Sequence, residues 1–125
     1  MEMRFLFDTN AAINLLSGKI VDPLPEGQYG MSIISEIELL SYPSLTSEEE
    51  QAIHTLIRKV ERLTLDNAIR DQAIALRRGH NLKLPDAVIA ATAMVWKSTL
   101  FTNDQRLHQV PGLTAITLNI KTPEH

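Results

Sequence analysis

The sequence contains no cysteine, few aromatic side chains and no excess of positive charge. Without cysteine, the chain has no disulfide, thiolate zinc site, iron–sulfur cluster or cysteine nucleophile, and this composition fits a reducing compartment. A chain of 125 residues has the usual length of one domain and buries about two-thirds of its unfolded surface without cross-links. We therefore expect a single domain over residues 1–125.

Long apolar runs and leader-type segments are missing as well. No apolar run approaches the ~20 residues of a membrane span. The first residues lack the charged and apolar regions of a signal peptide. We therefore expect a cytoplasmic protein that does not associate with a membrane.

The formal net charge is −3, whereas many nucleic-acid binders are strongly basic because each neutralised phosphate releases counterions. This balance argues mildly against non-specific binding to nucleic acid. It does not exclude a nuclease, because a metal ion would neutralise an acidic cluster in the active site.

Short apolar runs alternate with segments of helical spacing along the chain. Strands are predicted at 3–7, 29–34, 63–65, 99–102 and 114–118. Helices are predicted after the capping residues Asp8, Ser35, Thr46 and Asp66. The alternation predicts an α/β fold with three α/β/α layers and a central, mostly parallel sheet of about five short strands.

The helix before the fourth strand is nearly all apolar. Pro85 suits its first residue, and the apolar run continues to about Lys97. A helix that is apolar on every side is a buried helix. The preceding helix is predicted to end at Gly79, and the tail at 122–125 is expected to be loose.

Four acidic residues could each have a purely structural role. Asp8 and Asp104 could each cap a helix, and Glu38 follows Ser35 at the spacing of a capping box. Asp86 lies in a first turn, where the helix dipole favours a negative charge. Considered singly, each residue favours this structural interpretation.

The predicted topology changes that interpretation when the four acids are considered together. In an open parallel sheet, the carboxyl ends of the strands meet at one edge, where ligands bind. Asp8 and Asp104 follow two strands, Glu38 lies in the helix after another, and Asp86 opens the buried helix. The sequence therefore predicts four carboxylates at one rim of the sheet.

Carboxylates held so close together repel one another unless protons or a cation relieve the repulsion. A set of oxygen ligands with open positions suits Mg²⁺ or Mn²⁺ rather than zinc. Such ions bind phosphate oxygens, activate water and stabilise a leaving oxygen. This pattern favours hydrolysis of a phosphodiester bond.

Four segments in order resemble the PIN-domain family: FLFDTN at 5–10, SIISEIELL at 32–40, LPDAVIAATA at 84–93 and LFTND at 100–104. The third segment is the most specific, and the resemblance spans about 3–118. The length, with no extra domain, is similar to VapC-type toxins of bacterial and archaeal toxin–antitoxin pairs.

The resemblance implies a PIN-like fold, Mg²⁺- or Mn²⁺-dependent cleavage of RNA, a homodimer and inhibition by a small cognate antitoxin. By the same resemblance, the catalytic and metal-binding residues are Asp8, Glu38, Asp86 and Asp104. Thr102 is implied as a polar neighbour of the metal site, and Thr9 and Asn10 as residues that help to shape it.

The second segment contains two glutamates, Glu36 and Glu38. Two residues on a helix are about 200° apart, so both cannot face the same site. Glu38 is chosen because it precedes a Leu-Leu pair, as in the family, and Glu36 is expected to face solvent.

Histidines and basic residues offer weaker signals. His54, His80, His108 and His125 are scattered and lack the paired spacing of a metal site, so each is expected to be an ordinary surface or partly buried histidine. The basic stretch at 77–83 could contact an RNA backbone or could simply meet the dipole at a helix end.

Two other functions are compatible with a fold of this kind. A phosphatase-like domain also places an aspartate after its first strand, but would require a second aspartate where this chain has Asn10. A non-catalytic binding domain would have a decayed site, whereas all four acids are present here. The phosphatase-like alternative also leaves Asp86 and Asp104 unexplained.

Overall fold

A computed structural model describes residues 2–121, so the predicted tail at 122–125 lies outside the described residues. The strands are β1 (Arg4–Phe7), β2 (Gln28–Ser32), β3 (Glu61–Leu63), β4 (Thr99–Phe101) and β5 (Ala115–Ile116). The helices are α1 (Thr9–Leu16), α2 (Ile33–Leu40), α3 (Ser47–Lys59), α4 (Asn67–His80), α5 (Leu84–Val95) and α6 (Gln105–His108).

The five strands form one sheet in the order β3-β2-β1-β4-β5. Every pair of neighbouring strands is parallel. An isolated antiparallel bridge joins Ile20 to Ile120 outside the named strands. The predicted α/β fold with a central parallel sheet is therefore confirmed, with β1 in the middle of the sheet.

The central strand supplies side chains to both faces of the sheet, because successive residues of a strand point in opposite directions. Phe5 and Phe7 pack with Met31 and Phe101 in the core beneath α1, α2 and α3. Leu6 packs on the other face in the core formed with α4, α5 and α6. These two cores, one on each side of the sheet, produce the predicted three layers.

Helix α5 is the buried helix that its composition predicted. All seven residues from 87 to 93 are buried, and four of them are alanines whose small side chains allow close packing. Its carboxyl end brings Trp96 against β2, where a Cβ on Gly30 would lie only 2.6 Å from a Trp96 ring carbon. Within residues 2–121, no helix has the length and apolar character needed to cross a membrane.

Several predicted boundaries are wrong by a few residues. Ser32, not Ser35, caps α2, because the Ile34 N–H donates to Ser32 Oγ at 3.1 Å and the strand ends there. Helix α4 passes through Gly79 and ends where Asn81 adopts a left-handed conformation with φ 51°. The third strand begins two residues earlier than predicted, since the chain becomes extended at Val60 directly after α3.

Candidate active site

Asp8 connects the central strand to the first helix. Its side chain caps α1 by accepting the Ala11 N–H at 2.7 Å. The residue is nevertheless buried, with only 8% of its surface exposed. The capping role is therefore real, but it leaves a carboxylate buried at the carboxyl end of β1.

Glu38 and Asp86 face the same open cleft of about 420 Å³, which Thr9 and Asn10 also line. The Thr9 hydroxyl donates to Glu38 Oε1 at 2.6 Å. The Ser35 hydroxyl lies 3.0 Å from the same Thr9 oxygen. Thr9 at the start of α1 thus fixes the direction in which the Glu38 carboxylate of α2 points.

Asp104 follows β4 and caps the short helix α6, as the sequence predicted. Its backbone N–H donates to the Thr102 hydroxyl at 3.1 Å. The side chain of Thr102, itself 1% exposed, also lies close enough to Asp8 to lower the pKa of its carboxyl group. The hydroxyl of Thr102 therefore connects the two aspartates that follow adjacent parallel strands.

The electrostatics show that the aspartates influence one another. Burial raises the pKa of Asp8 above its usual 3.8, and the charges of Asp86 and Asp104 add to this, while bonds from Thr102 and Ala11 oppose it. Burial also raises the pKa of Asp86, with further contributions from the charges of Asp104 and Glu38. Asp86 therefore lies within electrostatic range of Asp8, Glu38 and Asp104.

Asp104 differs from the other two aspartates because a guanidinium is hydrogen-bonded directly to its carboxylate. Hydrogen bonds from the Arg106 guanidinium lower the pKa of Asp104. The same guanidinium lies 3.6 Å from an oxygen of Asp86. Arg106 thus lies between two of the four carboxylates.

Glu36 was expected to face solvent, and this expectation is wrong. Its side chain is only 14% exposed and is paired with Arg62 of β3, with Arg62 donating to both carboxylate oxygens at 2.6 and 3.1 Å. The two glutamates therefore leave α2 in different directions. Glu38 lines the cleft beside Asp86, whereas Glu36 ties α2 to an edge strand.

The donor set is chemically suited to a hard divalent cation, since Asp8, Glu38, Asp86 and Asp104 offer only carboxylate oxygens. Arg106 occupies the position of a cation between two of them. Within residues 2–121, no three acidic or histidine side chains lie in a geometry that could hold an ion. The chemistry of this donor set fits Mg²⁺ or Mn²⁺, and the carboxylates would have to move closer together to hold the ion.

Two residues that lie at the site were not recognised from the sequence. Ser35 is fully buried and supports Thr9, whereas its sequence position suggested a helix cap. Arg106 stands two residues after Asp104, and its position near the amino end of a short helix was the available signal. Among the histidines, His108 lies near the site, with Nε2 2.8 Å from the Thr102 carbonyl oxygen.

Fold and rim together define the class of protein: a three-layer α/β/α protein with an acidic cluster at the carboxyl edge of a parallel sheet. The PIN domain family model matches residues 5–113. The chain belongs to the PIN domain family. No significant match was found among curated proteins.

Solved structures with similar folds include chains from toxin–antitoxin systems. A chain of a toxin–antitoxin complex from Klebsiella pneumoniae is 30% identical, with TM-score 0.72, over 87% of this chain and 94% of that one. A chain of VapBC-1 from nontypeable Haemophilus influenzae is 23% identical, with TM-score 0.72, over 92% and 98%. A chain of VapBC2 from Rickettsia felis, bound to a DNA fragment from their promoter, is 16% identical, with TM-score 0.79, over 94% and 100%. The last two likenesses concern the fold alone.

Proposed function

We propose that this protein is a metal-dependent endoribonuclease that hydrolyses RNA phosphodiester bonds and is the toxin of a type II toxin–antitoxin pair. One observation supports the proposal: in a PIN-domain chain, Asp86 lies within electrostatic range of Asp8, Glu38 and Asp104. The likeness to a chain of a toxin–antitoxin complex supports the proposed role in a toxin–antitoxin pair.

Asp8, Glu38, Asp86 and Asp104 would together hold Mg²⁺ or Mn²⁺. When bound, such an ion supplies charge neutralisation, activation of water and stabilisation of the leaving oxygen. Without a cation the four carboxylates would repel a phosphodiester, so substrate binding and metal binding would be linked.

Neighbouring side chains would keep the carboxylates in position during the reaction. Thr9 orients Glu38 through its 2.6 Å hydrogen bond. Thr102 contacts Asp8 and accepts from the Asp104 backbone, which limits the movement of both aspartates. Asn10 is exposed at the mouth of the cleft and is available to a substrate group.

A second groove near the cleft supports a nucleic-acid substrate. It has a volume of about 360 Å³ and is lined by polar side chains that include His80, Asn81, Arg106 and Gln109. Lys83, at the amino end of α5, lies close enough to Asp86 to influence its pKa by its charge. These groups would contact phosphates of an RNA strand that crosses the carboxylates.

The proposed partners follow from the family resemblance and from the similar complexes. An antitoxin would bind the toxin, and an apolar cleft of about 450 Å³ between α1, α2 and α3, lined by Ile13, Leu16 and Leu39 among others, offers a surface for it. A homodimer and a cytoplasmic location belong to the same proposal.

The test is cleavage of structured cellular RNA by antitoxin-free protein with Mn²⁺ or Mg²⁺, beside an EDTA control. Asp8→Asn should abolish cleavage while leaving the far-UV circular dichroism unchanged. Asp71→Asn is the matched control, because Asp71 is exposed and, within residues 2–121, its side chain pairs only with Arg70. Equal cleavage by Asp8→Asn and wild-type protein would remove the assignment of the site.

A further inference from the structure

Arg106 makes a two-pronged contact with Asp104 in the acidic cluster. Its Nη2 lies 2.8 Å from Asp104 Oδ2 and its Nε lies 3.2 Å from Oδ1. The Arg106 backbone N–H also donates to Oδ1 at 3.0 Å. Both carboxylate oxygens of Asp104 are therefore bonded to one residue.

The same guanidinium also reaches toward a second carboxylate. Arg106 Nη2 is 3.6 Å from Asp86 Oδ2, and its charge opposes the rise in the pKa of Asp86. A planar guanidinium matches carboxylate geometry and stays charged at any pH of interest. In this arrangement it supplies the positive charge that two neighbouring carboxylates require.

We propose that Arg106 is an internal competitor of the divalent ion, a positioning residue that holds Asp104 and Asp86 until the ion displaces it. The competition lowers metal affinity and so sets the ion concentration at which the site becomes active. This inference rests on the proposed nuclease function and adds to it a residue that regulates metal binding.

The surroundings of Arg106 allow such a displacement. Its side chain is 65% exposed, so no buried contact has to be broken for it to move. It also lines the neighbouring groove with His80, Asn81 and Gln109. A displaced guanidinium would remain beside the site, where it could meet a phosphate of the substrate.

The test is Mn²⁺ binding, measured by titration calorimetry at fixed ionic strength on wild-type protein and Arg106→Gln. Loss of an exposed ion pair that competes with the ion should tighten the dissociation constant by about fivefold at most. Arg70→Gln is the matched control, because it removes the same charge from an exposed pair with Asp71. That control should bind Mn²⁺ like wild-type protein.

A second readout does not depend on the variant. The Nε–H resonance of Arg106 should move on addition of Mg²⁺ as its bond to Asp104 breaks, while that of Arg70 should stay in place.

Arg106→Lys keeps the positive charge but loses the planar guanidinium that contacts both oxygens of Asp104, so its Mn²⁺ affinity should lie between those of wild-type protein and Arg106→Gln.

The outcomes separate this inference from the function on which it rests. If wild-type protein binds Mn²⁺ and Arg106→Gln binds it equally or more weakly, the competitor role is overturned and the nuclease proposal stands. If neither protein binds Mn²⁺, both proposals are overturned.

Discussion

Replacing Asp8 by Asn removes a buried negative charge while keeping the shape of the side chain and its capping acceptor for the Ala11 N–H. In metal-free protein, we expect the Asn variant to be more stable than wild type at pH 7. The reason is that burial and the charges of Asp86 and Asp104 outweigh the hydrogen bonds that favour the ionised form, so the pKa of Asp8 is raised.

The size of the effect follows from linkage. Each unit by which folding raises a pKa corresponds to about 1.4 kcal/mol lost when the group ionises. The effective cost of burying an unpaired charge is several kcal/mol, and the bonds from Ala11 and Thr102 return part of it. A gain of about 1–2 kcal/mol for Asp8→Asn is the resulting expectation.

The direction in which the stability difference changes with pH also follows from the raised pKa of Asp8. A carboxyl whose folded pKa is raised contributes stability that is complete below its unfolded pKa, 3.8 for Asp8, and is lost as the pH rises through the folded pKa. The advantage of Asp8→Asn should therefore be small near pH 4 and largest near pH 7. Metal should reverse it, because an ion at about 100 times its dissociation constant stabilises only the binding-competent protein, by about 2.7 kcal/mol.

Urea unfolding of both proteins in EDTA near pH 4 and at pH 7, repeated at pH 7 with Mn²⁺, measures the stability difference, its change with pH and its reversal by metal. Asp71→Asn, an exposed change of the same kind, should stay within about 0.5 kcal/mol of wild type. If Asp8→Asn is less stable than wild type in EDTA at pH 7, the carboxylate is not under electrostatic strain, and the reasoning fails.

Two further predictions concern packing and the substrate. Gly30→Ala should lower the free energy of unfolding in urea by about 1–3 kcal/mol, because its Cβ would overlap the Trp96 ring. Gly79→Ala, whose Cβ would meet nothing within 4 Å, should instead raise the free energy of unfolding by about 0.5–1 kcal/mol by stabilising α4. A Gly30→Ala variant as stable as wild type would contradict the packing of Trp96 against β2. Lys83→Gln should weaken binding of a non-cleavable RNA analogue in Mg²⁺ and reduce the salt dependence of that binding by about one ion. Lys97→Gln, beyond the other end of α5, should leave the RNA affinity and its salt dependence unchanged. Equal effects of Lys83→Gln and Lys97→Gln would show that RNA is attracted by the overall charge of the protein and not by Lys83.

The layers of the fold could be predicted because they depend on short-range patterns. Alternating apolar strands and helices require a parallel sheet, and the all-apolar composition of α5 required burial. Helix ends were less predictable, since several residues in a row can satisfy the same backbone groups. Ser32 and Ser35 are both competent caps, and only the length of β2, set by its pairing with β1, decides between them.

The acidic cluster could be predicted for a different reason. Parallel topology brings strand ends to one edge whatever the side chains do, so the order of Asp8, Glu38, Asp86 and Asp104 along the chain already implied a shared rim. The choice of Glu38 over Glu36 needed more than topology. It came from the family resemblance, whereas the pairing of Glu36 with Arg62 of β3 joins residues that are distant in sequence and could not be foreseen.

Arg106 shows why the rest of the site required coordinates. In sequence it is one of 12 basic residues in a chain with 15 acidic ones, and its place in a helix of four residues gives no reason to single it out. Its role arises because α6 turns directly after β4 and points the side chain back over Asp104 toward α5. An arginine that makes a two-pronged contact with one carboxylate and reaches toward a second is best explained by the acidic cluster, which is why its displacement is the event to measure.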